Sequence, residues 1–224
     1  EVAPGTFSFD EACNRVVREM AQSGLRSIDY ASGRSYQLDT AARMCVRTSM
    51  NQMAGRITEA NCKSSGVDLV IVSQHEGARP EHADVENKVF SMSGHSRKYP
   101  YFKDPLPCDG GEGAGYGDVT GICGVNCRHT FYPFWEGISE IPEALPEYEP
   151  VEVNGKEYDY YKATQEQRRM EREIRALKRE KYVAEDKEAA QEIQRKISAK
   201  TTEYHNFSDA VGIRAKDNRL RVVA

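Results

Sequence analysis

Two short stretches of the sequence concentrate the side chains that can act as acids, bases or metal ligands. The first stretch, residues 75–88, contains His75, Arg79, His82 and Lys88. The second stretch, residues 121–129, contains Cys123, Cys127 and His129. Burying polar and ionisable side chains costs free energy, so their concentration in a turn-rich segment indicates a functional site and not packing alone.

Catalysis is one chemistry that the residues allow. Histidine exchanges protons near neutral pH, so His75, His82 and His129 are candidate acids and bases. Arg79 and Lys88 add positive charge that can stabilise a phosphoryl group in its transition state. The set is the one that a metal-independent nuclease needs. The alternative is that Arg79 and the histidines bond backbone carbonyl groups and so rigidify a long irregular loop.

Metal binding is the second chemistry. Cys123, Cys127 and His129 form a Cys-x3-Cys-x-His pattern, close to a zinc knuckle, although structural zinc sites more often use Cys-x2-Cys. A fourth ligand would be Cys108, or a histidine such as His75, His82 or His95. The alternatives are packing cysteines or a local disulfide across a glycine turn. We therefore predict no resident cofactor, with zinc as the competing hypothesis. Both the catalytic and the metal hypothesis require the two stretches to meet in space.

Composition limits the class of protein. A chain of 224 residues suits one domain plus an appendage. Its net charge of −4 argues against a protein whose main role is to wrap nucleic acid. No run of about 18 apolar residues is present, so we expect no membrane span and no membrane partner. The chain begins at Glu1 without an initiator methionine, which is typical of an excised or processed piece.

The first part of the chain predicts an α+β fold. Apolar spacing indicates a helix over residues 7–21 and a second helix that opens at Leu38, with Asp39 as its cap. The second helix carries an apolar stripe consisting of Ala42, Val46, Met50, Met53 and Ile57. Residues 67–73 and 88–92 read as strands because they are short and rich in β-branched and apolar side chains. Glycine and proline predict a long extended loop over residues 100–121.

The second part predicts helices. Asn154-Gly155 between alternating residues predicts a β-hairpin. Residues 162–182 and 187–203 are charged helices with narrow apolar seams, enough for a helical hairpin or a coiled-coil arm. The run 220–223 looks like a short strand. We expect N-terminal helices packed on a small β-sheet with a long Gly-rich loop over 1–140, a linker and hairpin over 141–160, and a charged helical arm and tail over 161–224.

Several motifs resemble those of the phage minor capsid protein 2 family, which is akin to the Mu F-type head-morphogenesis proteins. The resemblance covers nearly the whole chain. The matching segments are 30–34, 38–44, 46–48, 75–82, 88–91, 115–117, 121–129, 161–165 and 167–168. One segment departs from the pattern, because the family usually shows Trp-Gln-Gly-Lys where this chain has Val85-Glu86-Asn87-Lys88.

The resemblance implies a minor component of a tailed-phage or prophage virion. Such a protein would lie inside the phage head near the portal, after assembly in the bacterial cytoplasm. It would aid assembly, DNA packaging or ejection. Its partners would be portal or capsid proteins, with packaged DNA and self-association through the C-terminal helices as further candidates. The alternative function is a nuclease-like effector or toxin domain that uses the His/Arg site.

Overall fold

The computed structural model describes residues 7–22, 27–29, 33, 35–108 and 111–222, and it forms two compact units. The first unit is Glu1–Leu145 and the second is Pro146–Ala224. Helices and small antiparallel sheets make up both, so the predicted α+β class is confirmed. The predicted three-part division at residues 140 and 160 stays a prediction. Among the described residues, no helix combines the length and the apolar character needed to cross a membrane.

Two helices open the first unit. Helix α1 spans Phe9–Gln22, the antiparallel strands β1 (Ser27–Asp29) and β2 (Ser35–Gln37) follow, and helix α2 spans Leu38–Ser64. Helix α1 buries Cys13 and Val17, and it is linked to α2 by a 2.8 Å ion pair between Asp10 and Arg43. The prediction that Asp39 caps α2 is wrong. The cap position is Gln37, and Asp39 lies in the first turn, where its negative charge favours the helix N-terminus.

The predicted apolar stripe of α2 is wrong over its second half. Met53 and Ile57 are 39% and 54% exposed, whereas Gly55 and Cys62 on the opposite side are buried. A Cβ added to Gly55 would lie 3.3 Å from Cys123 Sγ and from the rings of Tyr116 and Phe131. The buried face therefore carries small side chains because the neighbouring loop approaches the helix closely, and apolar spacing does not report this.

A three-stranded antiparallel sheet forms the centre of the first unit. Strand β3 (Leu69–Val72) lies between β4 (Val89–Ser91) and β7 (Phe131–Pro133). The short helix α3 (Pro80–Ala83) lies in the connection between β3 and β4. The two predicted strands are thus confirmed. The core beneath them is largely aromatic and β-branched, with the main buried side chains being Val70, Val72, Val85, Phe90, Phe102, Tyr116, Ile122 and Phe131.

The segment predicted as an extended loop contains a hairpin, so that prediction is wrong in part. Strand β5 (Leu106–Cys108) pairs with β6 (Gly111–Gly113), and α3 packs against both strands. Farther along, a Cβ added to Gly121 would lie 1.8 Å from the carbonyl oxygen of Gly115. Glycine is required at position 121 because the backbone at Gly121 touches the backbone at Gly115. This contact holds the start of the second reactive stretch against the loop.

A short strap closes the first unit. Residues 141–145 run along its surface, where the side chain of Gln74 donates to the carbonyl of Glu143 and accepts from the Leu145 N–H. The Asn87 side chain donates to the carbonyl of Pro142. Both side chains belong to the region around the reactive stretches, so the strap also fixes that region.

The second unit is a hairpin followed by two packed helices. Strands β8 (Val151–Val153) and β9 (Lys156–Tyr158) are joined by Asn154 and Gly155, both at positive φ, which confirms the predicted hairpin. Helix α4 spans Tyr160–Tyr182 and helix α5 spans Lys187–Ala210. Asp159 and Asp186 cap them by accepting a backbone N–H each.

The seams of α4 and α5 are buried against each other inside the chain. Their buried side chains include Ala163, Met170, Ile174, Ile193, Ile197, Tyr204 and Phe207. Beyond α5, the strand predicted over 220–223 is wrong for the described residues, because Leu220 ends a 3₁₀ turn (Asp217–Leu220) and 221–222 form no strand. Val223 lies outside the described part of the chain. Leu220 is buried, and Arg175 and Lys178 donate to the carbonyls of Arg219 and Leu220, so contacts with α4 decide this conformation.

Candidate functional site

The two reactive stretches meet in one buried polar cluster. His75 follows the end of β3, His82 lies in α3, and Cys127 and His129 precede β7. Because β3 and β7 are hydrogen-bonded neighbours, the end of one strand lies beside the start of the other. This places residues separated by some fifty positions in contact, as both chemical hypotheses require.

The sulfur of Cys127 is the centre of the cluster. Its Sγ lies 3.6 Å from His82 Nδ1 and 3.5 Å from His129 Nδ1. The backbone N–H of His129 also points at the sulfur, at 3.3 Å. His82 and Cys127 are each 2% exposed and His129 is 1% exposed. Three groups able to bind a metal or share a proton are therefore enclosed together.

The outer nitrogens of the same two rings have oxygen partners. His129 Nε2 lies 2.7 Å from Glu86 Oε1, and the same oxygen accepts the backbone N–H of His75 at 2.9 Å. His82 Nε2 lies 2.9 Å from the carbonyl oxygen of Thr120. Both oxygens are acceptors only, so each Nε2 carries a proton and donates it.

Arg79 fixes the loop around His82. Its guanidinium donates to the Thr120 carbonyl at 3.2 Å, and the same nitrogen lies 3.2 Å from His82 Nε2. His75 Nδ1 is bonded to the carbonyl of Glu76 at 3.0 Å, and the His75 ring packs 4.3 Å from that of His129. Burial lowers the pKa of His75, which favours its neutral form. These contacts match the alternative in which Arg79 and the histidines rigidify the loop.

The pKa values of Cys127 and His129 are shifted past each other, so that the thiol becomes the stronger acid of the pair. Burial alone raises the pKa of Cys127, but hydrogen bonds from His129 and His82 outweigh it and lower the pKa to about 6. For His129, burial lowers the pKa, while the bonds to Cys127 and Glu86 raise it to about 8. Between these values a metal-free pair is a thiolate beside an imidazolium.

Cys123 is separate from this cluster although it lies only four residues before Cys127. Its sulfur faces Gly55 of α2, and its thiol donates to the carbonyl of His129 at 3.6 Å. Burial raises the pKa of Cys123 to about 12, with a further contribution from the charge of Cys127. Both thiols are free, so the alternative of a local disulfide is wrong.

Two other predicted site residues lie at the ends of strands. The Lys88 side chain is exposed, immediately before β4. Cys108 ends β5, and its side chain is outside the described part of the structure. The structure thus brings together His75, Arg79, His82 and His129 of the predicted catalytic set. Of the predicted metal set it brings together Cys127 and His129.

Helix α2 holds the cysteine turn with a polar face. The Asn51 side chain donates to the carbonyls of Cys127 at 2.5 Å and His129 at 3.4 Å. Thr48 Oγ1 accepts the N–H of Asn126, and Arg47 donates to the Asn126 side chain at 2.9 Å. Asn126 has a positive φ of 56°, which asparagine tolerates better than most residues. The turn therefore depends on α2 for its conformation.

Comparison with known proteins identifies the family of the chain. The model of the family described as phage minor capsid protein 2 matches residues 1–209. The chain belongs to the phage minor capsid protein 2 family. A relative named "Structural protein", from Lactococcus phage LL-H, is 27% identical over 191 residues, covering 82% of this chain and 47% of that protein. The chain therefore spans about half the length of this relative. No solved structure matches it.

Glu86 and the Thr120 carbonyl are the parts of the site that sequence reasoning missed. A backbone carbonyl has no sequence signal, but Glu86 lies in the segment that departs from the minor capsid pattern. Glutamate there stands where the pattern has glutamine, and either side chain can accept the His129 N–H. Asn87, where the pattern has glycine, has a φ of 56°.

The arrangement can do two kinds of chemistry. It can bind a cation, since His82, Cys127 and His129, or His75, Glu86 and His129, place their ligand atoms within 4.8 Å of one another. It can also hold a thiolate–imidazolium pair oriented by a carboxylate. A phosphodiester substrate would need access to these atoms, and the burial of all three central side chains opposes that.

Proposed function

We propose that this chain is a minor structural part of a tailed-phage or prophage particle, acting in head assembly near the portal or in DNA packaging or ejection. The observation that carries the proposal is the family match, which extends over residues 1–209. The name of the Lactococcus phage relative, "Structural protein", agrees with it. The match covers about half the length of that relative.

The geometry of the first unit supports a structural role more than a nuclease role. In a nuclease, the general base must reach a proton of the substrate or its attacking water. Here His82 and His129 are at most 2% exposed, and their outer nitrogens are already bonded to Thr120 and Glu86. The cluster instead cross-links three parts of the fold that have little regular secondary structure.

We propose portal or capsid proteins as the partners, with packaged DNA as a further candidate, and the head interior as the location. Assembly would take place in the bacterial cytoplasm. Self-association through the C-terminal helices would have to use surfaces other than their seams. Those seams pack α4 on α5 within one chain. Tyr182 and Val183, at the end of α4, are 69% and 79% exposed and remain free for such a contact.

Particle composition tests the proposal. In a phage that encodes this protein, virions are purified on a density gradient, treated with nuclease, and analysed by quantitative mass spectrometry. We expect the protein at a few copies per particle, protected from added protease until the heads are opened. A deletion mutant should yield fewer infectious particles. Absence from purified particles, together with a normal yield from the deletion mutant, would contradict the proposal.

A site variant separates the structural role from the nuclease role. His82→Ala removes the predicted acid or base, and Lys88→Ala removes an exposed cation of the same stretch. Purified protein is assayed on single- and double-stranded DNA and RNA, with the melting temperature measured alongside. We expect no turnover in the wild type and a lower melting temperature only in His82→Ala. Hydrolysis that His82→Ala abolishes at an unchanged melting temperature would instead establish the nuclease.

A further inference from the structure

We propose that the first unit binds one zinc ion through His82 Nδ1, Cys127 Sγ and His129 Nδ1. This ligand set differs from the Cys123, Cys127, His129 and Cys108 set predicted from spacing, because His82 arrives from a distant segment and Cys123 points elsewhere. The proposal concerns a ligand site and goes beyond the structural function proposed above.

The two sulfur–nitrogen distances fit a tetrahedral ion. Zinc binds cysteine sulfur at about 2.3 Å and histidine nitrogen at about 2.0–2.1 Å, so tetrahedral angles place a sulfur and a nitrogen ligand about 3.6 Å apart. The Cys127 sulfur lies 3.6 Å from one Nδ1 and 3.5 Å from the other. All three ligand atoms lie within 4.8 Å of one another.

The protons on the outer nitrogens aim the inner nitrogens at that position. Because His82 Nε2 donates to the Thr120 carbonyl and His129 Nε2 donates to Glu86, a neutral ring in either case presents the bare lone pair of Nδ1 to the sulfur. Ligating histidines in metalloproteins characteristically donate their second ring N–H to a carbonyl or carboxylate in this way. Two lone pairs and a thiolate directed at one point can hold a metal ion in place of the proton that the metal-free pair shares.

Charge and ligand type favour zinc over magnesium and calcium. A divalent ion is neutralised by the Cys127 thiolate and the Glu86 carboxylate, the latter acting through His129. Two imidazoles and one thiolate are ligands that zinc takes readily, whereas magnesium and calcium prefer oxygen. Burial of all three side chains at 2% exposure or less shields them from bulk solvent, and the fourth tetrahedral position would go to a ligand such as one water molecule.

The zinc ion would cross-link α3 and the turn before β7, two segments that are otherwise connected through hydrogen bonds. His82 belongs to a four-residue helix, and Cys127 and His129 belong to an irregular turn before β7. Small zinc sites contribute directly to folding free energy because the unfolded chain has no formed site. Binding would therefore stabilise the first unit, where α3 and the cysteine turn meet.

Metal analysis of the full chain tests the proposal. The protein is loaded with zinc, desalted and analysed for metal content, and a cobalt(II)-loaded sample is examined by visible absorption. We expect one zinc per chain, and a cobalt spectrum that combines tetrahedral ligand-field bands with a thiolate charge-transfer band. Zinc X-ray absorption should show one sulfur neighbour, which needs no variant and so remains decisive if variants unfold.

Matched variants assign the ligands. Cys127→Ala should lose zinc and the thiolate band, whereas Cys123→Ala, a buried cysteine on the same turn, should keep both. His82→Ala should weaken zinc binding by more than the roughly 10–100-fold expected for loss of an outer hydrogen-bond partner, and exposed His95→Ala should not. No stoichiometric zinc in the loaded wild type, a different metal in its place, or zinc retained by Cys127→Ala would overturn the proposal.

Discussion

Glu86 supports two histidines through a single oxygen atom. Its Oε1 accepts the ring N–H of His129 at 2.7 Å and the backbone N–H of His75 at 2.9 Å. The ring of His129 is almost fully buried, so no water can replace this acceptor without a rearrangement. At the scale of single residues, the conformation of the cluster therefore depends on an acceptor outside the three proposed zinc ligands.

Replacing Glu86 gives a graded prediction. Glu86→Ala leaves a buried N–H of His129 unpaired and should lower the free energy of unfolding by about 1–3 kcal/mol. Glu86→Gln keeps an acceptor oxygen and should cost clearly less. Urea unfolding followed by the fluorescence of Trp135 measures both. Glu81→Ala, an exposed glutamate in α3, serves as the control and should change little; an equal loss in Glu86→Gln and Glu86→Ala would contradict the argument.

At the scale of elements, α2 is the helix that organises the site. Its buried face is formed by polar and small residues, since Asn51 binds the cysteine turn and Gly55 lets that turn approach the backbone. In its second half the larger apolar side chains Met53 and Ile57 are exposed. A helix that packs on a sheet normally buries an apolar stripe. Here the adjacent loop supplies the apolar and aromatic side chains instead.

A bulky side chain at Gly55 tests this arrangement. A Cβ there would already lie 3.3 Å from Cys123, Tyr116 and Phe131, so Gly55→Leu should overpack the contact and cost about 1–3 kcal/mol or more. Ala54→Leu introduces the same side chain at the neighbouring exposed position of α2 and should leave the melting temperature nearly unchanged. Equal melting temperatures for the two variants would show that α2 does not pack as described.

The elements that could be predicted from the sequence are those that local rules decide. Strand β3 and the Asn154-Gly155 hairpin follow from β-branched residues and from two positions that require positive φ. The β5–β6 hairpin and the 3₁₀ turn after α5 depend on contacts with distant segments, so local patterns missed them. In the site, residue type identified His82, Cys127 and His129. Only the fold could show that His82 replaces Cys123 beside Cys127.

At the scale of the whole molecule, the two units have separate cores. The first core lies under the β4-β3-β7 sheet, and the second lies between α4, α5 and the β8–β9 hairpin. The buried cluster belongs to the first unit, while Tyr204 and Phe207 belong to the second. A perturbation of the cluster should therefore destabilise the first core and leave the stability of the second core unchanged.

Hydrogen exchange tests this separation. If zinc is bound as proposed, removing it with a chelator or by Cys127→Ala should increase exchange in β3, β7 and residues 121–129, because the cross-link through the zinc ion is lost. Helices α4 and α5 should exchange as before, since their buried seams contain no residue of the cluster. Trp135, the single tryptophan, lies in the first unit, so its fluorescence transition should shift to lower temperature. A loss of protection in α4 and α5 of the same size would mean that the two units unfold together, and unchanged exchange in β7 would mean that the cluster does not stabilise the first unit.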